Sequence, residues 1–495
     1  MSLTAVLVVV VAAVLIGAFG IRVSRTTSDF YVASRTVSPL WNASAIGGEY
    51  LSAASFLGIA GLILSFGVDM LWLPVGWTGG YLVLLVLVSA PLRRSGAYTL
   101  PDFAEARLES MTVRRTASVL VVLIGWLYLM PQFQSAGLVL RTITGAPVWV
   151  GGLLVAVVVA VNVLSGGMRS ITFVQAFQYW LKLTALGVPL VFLLMAWHAD
   201  GAPGVSAADA ATWQVPLAGA KEYGLYSTYS LILATFLGTM GLPHVLVRFY
   251  TNPDGRAARR TTLVVLSLLG AFYLMPAVYG WLGRLYTPGL ARTDTVVLTL
   301  PAQMIGGTLG DVLTALVTAG AFAAFLSTSS GLTVSVAGVI AQDLLKGSVR
   351  SFRIATLMAV AVPLVLALWA RALPVADVVG LAFAVAASSF CPLLVLGIWW
   401  RRLTTTGALA GLFVGGGLAC AAVLATITGA AYDGFVKALL AQPAAWTVPI
   451  AFAVMVAVSF LTPHRVPPGV ARTMVRLHTP EDLDLDRGDW RPRSS

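Results

Sequence analysis

Thirteen apolar stretches, each near the length of a bilayer crossing, limit this 495-residue chain more than any other feature. They fall at about 3–20, 41–64, 71–91, 117–140, 147–165, 173–197, 228–247, 262–283, 311–340, 354–370, 375–399, 405–428 and 445–461. A hydrocarbon core of about 30 Å takes about 20 helical residues. No water at that depth satisfies an open backbone, so each stretch is read as a helix. Hydrophobic residues make up 58% of the chain and charged residues 10%, a balance that a soluble fold has no interior to hide. The expectation is an all-α membrane protein, with a transmembrane domain over 1–461 and a polar, mobile tail over 462–495. The first stretch has no basic residue before it and no small-residue cleavage signal, so it reads as a retained span.

The net charge of +11 would suggest nucleic acid in a soluble protein. Here the basic residues sort by loop. With the N-terminus placed outside, 24 of the 31 lysines and arginines fall on cytoplasmic segments, 6 fall outside, and Lys182 lies within a span. That asymmetry predicts an outside N-terminus and a cytoplasmic C-terminus, and no nucleic-acid partner. Cys391 and Cys420 both sit in apolar runs and offer neither a disulfide framework nor metal-ligand spacing.

Polar groups at membrane depth mark function when they cluster. The second stretch carries Gly47, Gly48, Glu49, Ser52 and Ser55. Paired glycines fit local unwinding, which bares carbonyls for a cation and aims a half-helix N-terminus at an anion. They fit close helix packing equally well. The seventh stretch has a matching interruption at Gly238, Thr239, Gly241 and Pro243. Interrupted helices in corresponding positions predict an inverted repeat, with five-helix units at about 41–197 and 228–399. The ninth stretch contains Ser327, Thr328, Ser329 and Ser330, hydroxyls suited to an alkali ion or to back-bonding within the helix. Gln132 and Gln134 lie mid-span, His244 reads as a structural hydrogen-bonder, and Asp343 and Asp377 fall near span ends where hydration is at hand. No phosphate loop, HExxH or GxSxG occurs, so the chain reads as no enzyme, without a cofactor, and draws on an ion gradient.

The motifs resemble the sodium:solute symporter family over about residues 28–430, and most nearly its cation/acetate branch. They are SDFYVASR (28–35), AIGGEYLSAASFLGIAG (45–61), YTLPDF (98–103), SGGMRSITFVQ (165–175), GLPHVLVRFYT (241–251), AAFLSTSSGLTVSVAGVIAQDL (323–344) and VGLAFAVAASSFCPLLVLGIWWRRLTTTGA (379–408). The resemblance implies a LeuT-type five-plus-five core with one helix before it and two after. It implies a sodium site from the carbonyls of Gly47, Tyr50 and Ala324 with the hydroxyls of Ser327 and Thr328. It implies substrate contacts at Gly48, Ser52, Gln132 and Thr239. Phe173 follows Thr172 where much of the family has Asp, as in the acetate branch, and Glu49 stands where the family often has Asp. The activity implied is sodium-coupled import of a small monocarboxylate such as acetate across a bacterial inner membrane, with no obligate protein partner. Pyruvate, propionate or an amino acid such as proline as substrate, proton coupling, and a sensor without transport are the alternatives.

Overall fold

A computed structural model describes residues 1–21, 38–218, 222–345, 347–370, 374–429 and 432–480. The SDFYVASR motif and the final 15 residues of the tail lie outside the described residues. Every regular element among those described is helical. Eleven helical stretches are long and apolar enough to cross a membrane. One of them, the 41-residue Ala54–Arg94, supplies two crossings. Its first helix ends at Phe66, and Gly67 takes φ 78°, a left-handed conformation that turns the chain. Helix α1, Ser2–Ile21, adds a further apolar segment of 20 residues. Among the described residues, all thirteen apolar stretches of the sequence thus fall on helices.

The helices that matter below are α2 (Pro39–Tyr50), α3 (Ile59–Phe66), α4 (Trp72–Val83), α5 (Ser89–Arg94), α6 (Leu100–Leu108) and α7 (Met111–Thr144). After them come α8 (Val148–Ala199), α9 (Ala207–Thr212), α10 (Gly224–Gly241), α11 (Pro243–Val247), α12 (Gly255–Tyr286) and α13 (Val296–Met304). The remainder include α14 (Gly307–Val339), α15 (Val349–Trp369), α16 (Val375–Trp399), α17 (Thr405–Gly411), α18 (Gly417–Ile427), α19 (Gly434–Ala441), α20 (Ala444–Leu461) and α21 (Val470–His478). Helix α8 holds two apolar stretches, Val148–Ser165 and Ile171–Ala199.

Loops assigned to one side by the charge count do meet in space. Arg93 bonds the Asn252 carbonyl, Arg107 the carbonyls of Gly397 (2.7 Å) and Trp400 (3.0 Å), and His478 the Ile398 carbonyl (2.8 Å). At the other end, the Trp213 indole donates to Ile63 (2.8 Å), Arg284 pairs with Asp209, and Tyr286 donates to Asp200 (2.8 Å). The alternation of spans is thus visible as a basic face and an opposite face.

The motif YTLPDF becomes the start of α6. Thr99 and Asp102 form a reciprocal capping box around its first turn, with Pro101 inside it. Asp102 also meets Arg114 at 2.8 Å, and Arg114 binds Glu105 (2.6 Å) and Asp343 (2.7 Å). Asp343 is therefore not a hydrated end residue. Its side chain is buried and ties the π-helical turn Ile340–Leu344, which follows α14, to α7 on the basic face. Burial pushes the Asp102 carboxyl up to about 6, against the pull of Arg114.

The tail is not mobile throughout. Val470, Met474 and Leu477 fall on one side of α21, and Met474 and Leu477 are buried against the basic face. The apolar spacing of four and three residues makes this short helix amphipathic, which pins it.

Candidate functional site

Two interrupted helices face each other at the centre of the bundle. Between α2 and the π-helical turn Ala54–Gly58, Leu51 and Ser52 leave the helix, and Leu51 takes ψ 81°. Between α10 and α11, Leu242 is extended at φ −76° and ψ 115° before Pro243. Proline cannot continue the hydrogen-bond ladder, so the second break stands where the sequence places it.

The first break does not fall at the paired glycines. Helix α2 runs through Gly47 and Gly48, which serve close packing instead. A Cβ on Gly48 would lie 2.1 Å from the Gln175 carbonyl oxygen of α8, and one on Gly47 would lie 2.8 Å from the Tyr179 ring. Unwinding begins three residues later and has a specific effect on hydrogen bonds. In a continuous helix Ser52 N would bond the Gly48 carbonyl and Ala53 N the Glu49 carbonyl. Here Ser52 N turns to the Tyr50 carbonyl (2.8 Å) and Ala53 N to Gln132 Oε1 (3.0 Å). The carbonyls of Gly48 and Glu49 are left to side chains.

Helix α14 answers them. Ser327 Oγ reaches the Gly48 carbonyl at 2.6 Å and the Ala324 carbonyl at 3.1 Å, and Thr328 Oγ1 donates to the Glu49 carbonyl at 2.6 Å. The structure thus brings Ala324, Ser327 and Thr328 against the break. The carbonyls of Gly47 and Tyr50 accept backbone hydrogens from Leu51 (3.0 Å) and Ser52. The crevice of bared carbonyls therefore centres one residue further on, at Gly48, Glu49 and Leu51. Lys182 of α8 enters this crevice, donating to the carbonyls of Gly48 and Leu51 (2.8 Å) and to Ser327 Oγ (2.8 Å).

Behind the crevice lies an ion pair that sequence reasoning missed. Arg248, just past α11, is fully buried and meets Glu49 Oε2 at 2.8 Å. It also donates to Thr172 Oγ1 (2.7 Å) and to Gln175 Oε1. Gln175 in turn donates to the Ser327 carbonyl (2.8 Å). The signal was present in Glu49 itself: a buried carboxylate requires a partner, and Arg248 is the basic residue flanking the other broken helix.

On the far side of the break, aromatic rings close together. Tyr50 packs edge-on against Tyr81 (4.9 Å between ring centres) and Phe383 (6.2 Å), and Phe383 touches Trp77 (5.6 Å) and Tyr128 (5.9 Å). The Tyr50 hydroxyl bonds Thr239 at 2.9 Å, joining the two breaks. Trp77 Nε1, Tyr81 Oη and both His244 nitrogens are buried without hydrogen-bond partners. His244 is thus no structural hydrogen-bonder here; its ring packs edge-on against Tyr128 at 5.2 Å. Gln132 and Ser52 border this chamber at the break.

A cavity of about 720 Å³ opens toward the opposite face, lined by Gln134, Arg141, Arg292, Asp294 and Thr299 among others. On the basic face, the gap between Thr99, Val121, Pro243 and Val334 holds about 20 Å³, room for one water. Asp294 Oδ1 is buried without a partner. Burial, and next the charge of Asp377, push its carboxyl up to about 6 from an ordinary 3.8. A raised carboxylate favours folding when protonated, so this contribution is complete below pH 4 and disappears as pH rises through 6. Asp294→Asn is expected to stabilise the protein by about 1–2 kcal/mol at pH 7.5 and by almost nothing at pH 4, read as unfolding midpoints in detergent. A gain that is the same at both pH values would remove Asp294 as the titrating group.

The family model for the sodium:solute symporter family matches residues 30–415. An uncharacterized symporter, YwcA, of Bacillus subtilis is 32% identical over 88% of this chain and 89% of its own length. A monocarboxylic acid transporter of Corynebacterium glutamicum is 32% identical over 80% of this chain and 78% of its own. Among solved structures, a Na+-coupled sialic acid symporter in a substrate-bound outward-open state superposes with a TM-score of 0.70 at 15% identity, covering 93% of this chain and 97% of that one. Mhp1, a nucleobase-cation-symport-1 family transporter, gives 0.60 at 14%, covering 91% and 99%. These likenesses establish the LeuT-type fold.

Proposed function

The chain belongs to the sodium:solute symporter family, and from that premise we propose that it imports a small, acetate-like monocarboxylate on an inward sodium gradient. The observation that carries the reading is the aromatic chamber at the first break. It is apolar in its walls yet holds the unpartnered donors Trp77 Nε1 and Tyr81 Oη, set four residues apart on one side of α4. Buried donors without acceptors are rare and costly unless a ligand completes them, and a carboxylate is an acceptor with two oxygens. The rings are already in contact, so a ligand of few atoms displaces least. The relative named a monocarboxylic acid transporter supports the same class.

The ion site in this reading is the crevice between α2 and α14. The donor set fits an alkali cation: the neutral carbonyl oxygens of Gly48, Glu49, Leu51 and Ala324, with the hydroxyls of Ser327 and Thr328, beside the Gly47 and Tyr50 carbonyls that keep backbone partners. The substrate side is formed by Gly48, Ser52, Gln132 and Thr239. If the basic face is cytoplasmic, the 720 Å³ cavity opens outward. Sodium binding would order the break, the carboxylate would follow, and rocking of one repeat against the other would close the outer cavity and open the basic face.

The test is uptake of labelled acetate into proteoliposomes under an inward sodium gradient, with potassium as control. Stimulation by sodium, competed by propionate or pyruvate and not by proline, is the expected result. Uptake driven by a proton gradient alone would keep the substrate and replace the ion. No acetate uptake under either gradient would overturn the substrate.

A further inference from the structure

We propose that Lys182 is a tethered cation that fills the ion site of the empty transporter, so that sodium binds only by displacing it. The inference rests on reading the crevice between α2 and α14 as the ion site. Lys182 has no exposed surface. Its ammonium donates to the Gly48 carbonyl, the Leu51 carbonyl and Ser327 Oγ. Three donors meet three acceptors, so the group is satisfied in full. These oxygens are the ones the break bares. The Gly48 carbonyl has lost its helical partner because Ser52 N bonds Tyr50 instead, and the carbonyls lie at the C-terminal, negative end of α2, where a positive charge is favoured.

A sodium ion seeks the same oxygens for the same reasons. While Ser327 accepts a bond from Lys182 and donates to Gly48, only one of its two lone pairs is left for sodium. Two cations in one set of oxygens repel at short range. The lysine is also part of the chain, so its effective concentration at the site is high without any binding step. An acceptor stands ready for the displaced ammonium: Glu49 Oε1 is buried without a hydrogen bond. Occupation by Lys182 thus satisfies the bared carbonyls when sodium is absent, and the ammonium leaves them for Glu49 when sodium arrives.

The experiment is equilibrium binding of ²²Na+ to the purified full chain, with unfolding midpoints compared in sodium and potassium. Neither readout involves a carboxylate, so the substrate reading stands or falls apart from this one. Lys182→Met is expected to bind sodium at least about ten-fold tighter than the natural chain, and to gain a sodium-specific rise in its midpoint. Lys182→Arg, which keeps the charge, is expected to bind sodium no better than the natural chain. Lys182→Gln serves as the second neutral variant if the Met chain does not fold. Adding Ser327→Ala to the neutral variant should remove the gain and so place the sodium in this crevice. Equal sodium affinity with and without Lys182, or weaker affinity in the neutral variants, would overturn the proposal. Absence of sodium binding in every variant would overturn both the proposal and the ion assigned to the crevice.

Discussion

Arg248→Met is expected to destabilise the folded protein by about 3–5 kcal/mol and to reduce uptake at least 100-fold. The magnitude follows from burial. Arg248 is inaccessible and Glu49 is 2% exposed, and they meet at 2.8 Å. Removing one member of such a pair leaves an uncompensated charge where water does not reach. The guanidinium also holds Thr172 and Gln175, so its loss loosens α8 against both broken helices. The double change Glu49→Gln with Arg248→Met removes both charges and should recover much of the stability while leaving transport impaired. Unfolding midpoints in detergent and uptake in proteoliposomes provide the two readings. A single variant as stable as the natural chain would mean that the pair does not form in the folded protein.

Gly48→Ala should be nearly as severe, by a steric route. The added Cβ would stand 2.1 Å from the backbone oxygen of Gln175. A side chain in the way could rotate aside, but a helix carbonyl moves only with its helix. Overpacking costs about 1–3 kcal/mol where neighbours yield, and this contact belongs at about 3. Displacing α8 also moves Lys182 and Gln175 away from the crevice, so uptake should fall at least ten-fold. Gly270→Ala is the control, since a Cβ there meets nothing within 4 Å, and helix propensity alone should leave it neutral or stabilised by up to about 1 kcal/mol. Similar behaviour of the two variants would contradict the close approach of α2 and α8.

What the sequence made legible was the part governed by local physics. Apolar length sets the passes, and the basic residues sort into loops that do come together, as Arg93 with Asn252 and His478 with Ile398 show. Pro243 marks the second break because proline lacks the donor a helix needs. The hydroxyls of Ser327 and Thr328 reach the first broken helix, a juxtaposition that only the family resemblance implied. The first break itself was left open, because glycine pairs suit both unwinding and packing, and only the neighbouring α8 decides between them. Arg248 counted as one more loop arginine, since its partner lies 199 residues away in sequence. Lys182 was legible as an intramembrane charge, but its acceptors are carbonyls, and every residue has one. Asp343 looked hydrated by position, and only the fold reveals Arg114 beside it.

Helix α21 has a mechanical consequence. Around it, Arg476 donates to the Arg94 carbonyl (3.1 Å), His478 contacts the Ile398 carbonyl (2.8 Å), and Gly469 N donates to Glu109 (3.0 Å). Arg94 and Glu109 belong to the first half of the core, whereas Ile398 closes the second. The end of the described chain therefore bridges the two halves on the basic face, as a clasp would. In the proposed import cycle that face opens, so the clasp would have to slip or ride with one half, and the speed of the inward step would depend on a segment that touches neither ion nor solute.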